Sequence, residues 1–307
     1  MNRHLLSAIA IAAMAVGSAA QAGPVIIDGT DSADHGAGTL PGNFPVQATN
    51  TLGWEYMQRA LTNLGTSVAA AAADVVTVIG ADPSSTARNA ITSAFNLAGL
   101  AGWTINFVDG AANINAFMST LSTTTTGILY LSTAGLVNGD MDANELAAVN
   151  AASAQINAFV GGSGNPAAGG ALFAQGEIGT GAFGWLSTLI PGIVSTSVGG
   201  GGIGTDITLT AAGTAAFPGL TNGDLAGADP WHNYFSGNLG GLSVLGVAPD
   251  GSGVSRNIIL GGGAGTLLQC GQPGQPACPT VPEPGSMVLV ATAGLALLGL
   301  RRRRQGK

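Results

Sequence analysis

Charge is scarce in this sequence. Only 8% of its 307 residues are Asp, Glu, Lys or Arg, against about 25% in ordinary globular chains. The shortage falls hardest on the basic side. Between Gly23 and Pro284 the basic residues are Arg59, Arg88 and Arg256, while all 16 acidic residues lie in that span, a formal net charge of −13 with histidine neutral. Such a surface repels nucleic acid and anionic lipid, which argues against phosphate-binding and nucleic-acid-binding roles. It tolerates divalent cations and cationic partners. Cysteine is nearly missing: Cys270 and Cys278 are the only two, and they bracket Gly-Gln-Pro-Gly-Gln-Pro-Ala. A local disulfide is the expected state in an oxidising compartment. Two thiols without neighbouring histidines make a poor zinc site, so no structural metal is expected there. Aromatics are 5% of the chain, and His35 and His232 are the only histidines of the body. No Gly-x-Ser-x-Gly occurs, so the usual serine hydrolase elbow is absent.

Apolar residues make up 46% of the chain and glycine contributes 50 residues. That is enough apolar material for an Ala- and Val-rich core, unlike chains kept disordered by charge. The length suits one large domain or two small ones. Residues 1–22 read as a signal peptide: Arg3 and His4 open it, residues 5–16 are apolar, and Ala20-Gln21-Ala22 fits a small-x-small cleavage site. Cleavage there makes Gly23 the first mature residue and implies passage through the Sec translocon. The alternative is a retained membrane anchor.

At the other end, Val281-Pro282-Glu283-Pro284 runs into an uncharged apolar stretch, 285–300, and then Arg301, Arg302, Arg303 and Arg304. As a helix those 16 residues span roughly 24 Å, slightly short of a hydrocarbon core of about 30 Å. Bilayer thinning or arginine snorkelling makes up the difference. The arginine block is expected to stay cytoplasmic and stop transfer, leaving the body outside the inner membrane. A plain tail anchor or a buried core helix are the alternatives, although no soluble fold needs four arginines directly after a helix. This order of parts resembles the PEP-CTERM sorting signal of Gram-negative bacteria, many of which make exopolysaccharide. The resemblance covers the last 27 residues. It implies recognition by an exosortase, a membrane-embedded cysteine protease-like enzyme, with removal of the tail and delivery to the envelope or extracellular matrix.

The body, 23–261, alternates short apolar runs with amphipathic segments. Strands are expected at 24–28, 74–79, 103–108, 127–131 and from 171. Helices are expected at 52–64, 84–97, 113–121, 142–160 and 184–189, with Ser84 or Ser85 capping the second and Gly-Gly-Ser-Gly at 161–164 ending the fourth. This pattern predicts an α/β fold, a mostly parallel sheet with helices on both faces. Further strands are expected at 193–198, 207–209, 242–247 and 256–260. Residues 262–280 read as a Gly/Pro/Gln linker to the tail. More loosely, strands 24–28 and 127–131, Phe217-Pro218-Gly219-Leu220 and Trp231-His232 resemble the flavodoxin-like class I glutamine amidotransferase-like fold. That family places a cysteine nucleophile in a turn after a central strand. The corresponding stretch here, 170–176, contains no cysteine.

In open α/β sheets ligands bind beyond the carboxyl ends of the strands. Candidate site residues there are Asp28, His35, Glu177 and His232. Asp28, Asp31, Asp34 and His35 can offer ligands to a divalent cation or orient an imidazole, and the same loop is also ordinary Asx-turn chemistry. Asp140, Asp142 and Glu145 lack the Gly and Glu spacing of a calcium loop, and helix capping before Leu146 accounts for them better. Residues 199–204, Gly-Gly-Gly-Gly-Ile-Gly, formally fit Gly-x-Gly-x-x-Gly, but a strand-like segment follows rather than a helix, so a hairpin loop is expected. Two readings result. One is a non-enzymatic, exosortase-sorted envelope protein whose domain binds a glycan, exopolysaccharide, cation or protein, with no cofactor. The other is an envelope hydrolase using Asp28, His35, Glu177 and His232 in one crevice.

Overall fold

Val25–Asp28 forms β1, and the β-branched run is buried on both faces, as a strand enclosed by neighbours must be. The computed structural model describes residues 22–35, 44–70, 72–132, 139–161, 169–176, 181–198, 206–225 and 231–267. The leader before Ala22, Glu177, residues 199–204, both cysteines and the whole sorting tail lie outside these residues, as do the side chains of Asp34 and His35.

After β1 come α1 (Ser32–His35), α2 (Leu52–Ser67), β2 (Val75–Ile79), α3 (Thr86–Leu97), β3 (Thr104–Val108), α4 (Ala111–Met118) and β4 (Ile128–Leu131). Then follow α5 (Ala143–Ala151), α6 (Ser153–Gly161), β5 (Ala171–Gln175), α7 (Leu186–Leu189), β6 (Ile193–Ser197) and β7 (Thr208–Leu209). The chain goes on through α8 (Ala211–Ala216), a 3-10 turn (Asn222–Leu225), β8 (Asn233–Gly237), β9 (Ser243–Pro249) and β10 (Ser255–Gly262). All ten strands form one sheet, so the protein is a mixed α/β fold. Its parallel part runs β3-β2-β4-β5-β1. The later strands attach antiparallel: β10 to β1, β9 and β8, β6 to β8, and β7 to β9.

Alternate residues of the parallel strands feed two cores. On one face Ile26, Val76, Val78, Ile128 and Phe173 pack with Trp54, Met57 and Leu61 of α2 and Ile91 of α3. On the other, Ile27, Leu129, Leu131 and Leu172 pack with Ile114 of α4, Val149 of α5, Ile156 and Phe159 of α6, and Leu186 of α7. Helices therefore cover both faces.

Three boundaries differ from the sequence reading. The helix expected at 142–160 is two helices, because Ala152 leaves helical geometry (φ −88°, ψ 16°). Buried Val149 and Ile156 keep helical spacing across the joint, so the break leaves no mark on the apolar pattern. The helix expected at 113–121 starts and ends earlier, at Ala111–Met118. β10 runs on through Gly262, and Leu267 is buried, so the folded part reaches beyond residue 261.

Ser85 caps α3, its side chain accepting from the Arg88 N–H. Asp142 caps α5: its Oδ1 accepts from the Asn144 and Glu145 N–H groups, while Glu145 Oε2 accepts from the Asp142 N–H at 2.8 Å. This reciprocal box explains the acidic cluster before Leu146 as capping. Replacing Asp142 with Ala removes the acceptor for two orphan donors. The expected outcome is a loss of about 1 kcal/mol in unfolding free energy, read as a lower urea midpoint with unchanged slope.

Candidate functional site

Strand register lines up three polar side chains on one face of the sheet. Asp28 at the end of β1 lies opposite Gln175 of β5, and Tyr130 of β4 lies opposite Phe173 of β5. All three are buried. The Tyr130 hydroxyl donates to Gln175 Oε1. The Gln175 Nε2 in turn donates to Asp28 Oδ2 at 3.1 Å. Thr30 adds its N–H to Oδ1 and its hydroxyl to Oδ2, both at 2.8 Å. With its proton so used, Thr30 Oγ1 accepts from Ser32 Oγ at 2.6 Å. One hydroxyl–amide–carboxylate–hydroxyl chain thus links four segments. Tyr56 of α2 seals it, its ring edge-on to Phe173 and Phe217.

Burial raises the Asp28 carboxyl from 3.8 to about 6, against the opposing pull of its bonds to Gln175, Thr30 and Tyr56. Burial, with the Asp28 charge next in importance, pushes the Tyr130 phenol well above its ordinary value. Tyr130 therefore stays neutral and can only donate or accept a hydrogen bond.

The bridge between Thr30 and Trp231 brings His232 to the same end of the sheet. The His232 N–H donates to the Gly29 carbonyl at 2.8 Å. Its ring is 4% exposed as a residue, and Nε2 lies 3.6 Å from Asp31 Oδ2. That distance is an electrostatic contact rather than a hydrogen bond. Neither ring nitrogen has a hydrogen-bond partner among the described residues. Of the four residues expected to converge, Asp28 bonds Gln175 and Thr30, while the His232 ring lies beside Asp31. His35 ends α1, and only its backbone is described; Glu177 lies outside the described residues. Tyr130 went unread in the sequence, where its one signal is a tyrosine in an otherwise aliphatic strand.

A second locus lies where β2 and β4 send their chains in opposite directions along the sheet. Gly80, Ala81 and Ser84 all have positive φ in the loop after β2. For the two non-glycines that conformation costs on the order of 1 kcal/mol each. Partial desolvation, then the charges of Asp109 and Asp142, raise the Asp82 carboxyl. Glu145 Oε1 accepts from the Gly110 N–H at 2.6 Å, tying the loop after β3 to α5. Among the described residues no group of three or more His, Cys, Asp and Glu side chains is arranged to hold a metal ion. At Asp28 both carboxylate oxygens already accept protein hydrogen bonds.

A cavity of about 480 Å³ opens beside β6, lined by residues including Phe183, Ser187, Ser195, Thr196, Ser197 and Asn233.

The family model of the PEP-CTERM protein-sorting motif matches residues 280–304. The tail is a PEP-CTERM sorting signal. PEP-CTERM signals mark exported proteins that an exosortase processes at the membrane before they reach the cell surface. In this PEP-CTERM protein the signal covers Val281-Pro282-Glu283-Pro284 and the four arginines. Its apolar stretch lies outside the described residues, and among those no helix is long and apolar enough to cross a membrane. No curated protein and no solved structure matches the chain.

The Asp28 chain sets a pH dependence. A carboxyl raised on folding contributes stability that is fully present below pH 3.8 and is lost as pH rises through about 6. The difference amounts to about 3 kcal/mol. Wild-type protein is expected to lose stability across that window relative to Asp28→Asn, which cannot titrate there. Urea unfolding of both proteins across the window measures the difference.

Proposed function

We infer that this is an exported binding protein of the cell envelope, carried to the surface by its PEP-CTERM signal. The match at 280–304 carries the reading. The signal-peptide pattern at residues 1–22 agrees with it, as does a body of net charge −12 that suits no nucleic-acid partner. In this reading the apolar stretch 285–300 is a transient transmembrane anchor, and the α/β domain binds a glycan, exopolysaccharide or protein outside the inner membrane.

The strand order supports a doubly wound, flavodoxin-like body. Counted from β2, the parallel order is 2-1-3-4, with β1 taking the fifth place. The stretch 170–176, where the amidotransferase resemblance puts a nucleophile, ends in Gln175-Gly176 without a thiol. Burial of Asp28 and the full use of its oxygens favour binding over catalysis. One observation favours the envelope-hydrolase alternative: the His232 ring beside Asp31, with both nitrogens uncommitted among the described residues.

Export and sorting are testable together. Arg301 to Arg304 and Pro282 and Pro284 are replaced with Ala, and cell fractions are analysed by intact mass. Wild-type protein is expected at the cell surface without its tail and leader; the variant is expected uncut in the membrane fraction. Equal processing and location of the two would end this reading.

A further inference from the structure

The cavity beside β6 has a lining unlike the rest of the molecule. Strand register places Ser195 opposite Phe235 and Ser197 opposite Asn233, so these four share a face of the β6–β8 pair. Phe183 lines the cavity, and the buried Phe235 holds it from behind, edge-on with ring centroids 5.1 Å apart. Ser187 of α7 also lines the cavity. Elsewhere hydroxyls are spent internally: Thr62 and Thr66 bond preceding carbonyls, Ser85 bonds the Asp82 carbonyl, and Thr77 pairs with Thr126. The hydroxyls of Ser187, Ser195 and Ser197 have no hydrogen-bond partner among the described residues, while Thr196, opposite Tyr234, directs its side chain to the other face. No described lining residue carries a charge.

We propose that this cavity is a binding site for a neutral sugar of one or two rings; the proposal rests on reading the domain as a binding module and names its ligand class. Three properties point to that chemistry. Serine hydroxyls donate and accept alike, which matches the hydroxyls of a sugar ring and suits neither a cation nor a phosphate alone. Phe183 offers an apolar contact to the C–H face of a ring. The volume of about 480 Å³ falls within the usual range for small-ligand sites. The net charge of −12 on the body disfavours acidic sugars, so selectivity runs toward uncharged ones.

The test uses the full chain in a non-glycosidic detergent. Glucose, galactose, cellobiose and maltose are titrated, with glucuronic acid as the charged comparison, and binding is followed by ligand-observed NMR. At least one neutral sugar is expected to bind at about millimolar Kd or tighter, with glucuronic acid at least tenfold weaker. Ser195→Leu fills the cavity, and Ser187→Leu does the same from the exposed side of α7, where folding is least at risk. Each is expected to weaken sugar binding at least tenfold with Tm unchanged. Absence of binding by every neutral sugar in folded protein overturns the proposal. So does binding that both variants leave intact, or tighter binding of glucuronic acid. A sugar that is bound and then hydrolysed supports the site but overturns the binding-only reading of the domain. Mislocalisation in the fractionation experiment counts against export and leaves this titration unaffected.

Discussion

Strand β1 is hydrogen-bonded along both edges, parallel to β5 on one side and antiparallel to β10 on the other. Everything else is arranged about that double pairing. It joins the parallel half of the sheet, built from alternating strands and helices, to an antiparallel half built from hairpin-like returns. Its four residues are fully enclosed, and their alternation sends Val25 and Ile27 into one core and Ile26 into the other. Asp28 then falls on the second face at the strand's end, where a charge is costly without partners. The neighbouring strand supplies one in Gln175, and the following turn supplies Thr30. The polar chain is a consequence of the pairing, since a one-residue slip would turn Asp28 to the opposite face.

The same arrangement separates two chemistries. On the face of α2 and α3, polar groups are buried and bonded to one another, which fixes the register of three strands. On the other face, beside β6, hydroxyls line an open cavity and remain available. The scarcity of charge in the sequence reappears here as a division of labour. Carboxylates collect in loops at the strand ends, where Asp82, Asp109 and Asp142 repel one another and Glu145 is held by backbone donors. The cavity lining among the described residues stays neutral.

Much of this was legible in the sequence. Apolar runs marked all five parallel strands, and helical spacing marked α2 and α3, with the α3 cap narrowed to Ser84 or Ser85. Asp142 and Glu145 could be read as a cap because the box depends only on local spacing. β8 escaped notice because Asn233-Tyr-Phe-Ser-Gly237 follows Trp231-His232 and has no clean apolar alternation. α8 escaped because Ala211–Ala216 is Ala-rich and interrupted by Gly213, whose place is set by close approach to the Leu245 carbonyl. The break at Ala152 escaped because the two helices share a face. The site was half legible: Asp28 and His232 carry recognisable chemistry, but Tyr130 and Gln175 become partners of Asp28 only once strand order is known. No periodicity encodes an alignment between residues separated by 147 positions.

The pairing of β1 with β10 has a further meaning for how the sheet closes. Val25 pairs with Leu172, well over a hundred residues further along the chain, and with Gly262, further still. Closing so large a loop is slow, and no earlier segment can substitute for the missing edge. Until β10 pairs, that edge of β1 stays open.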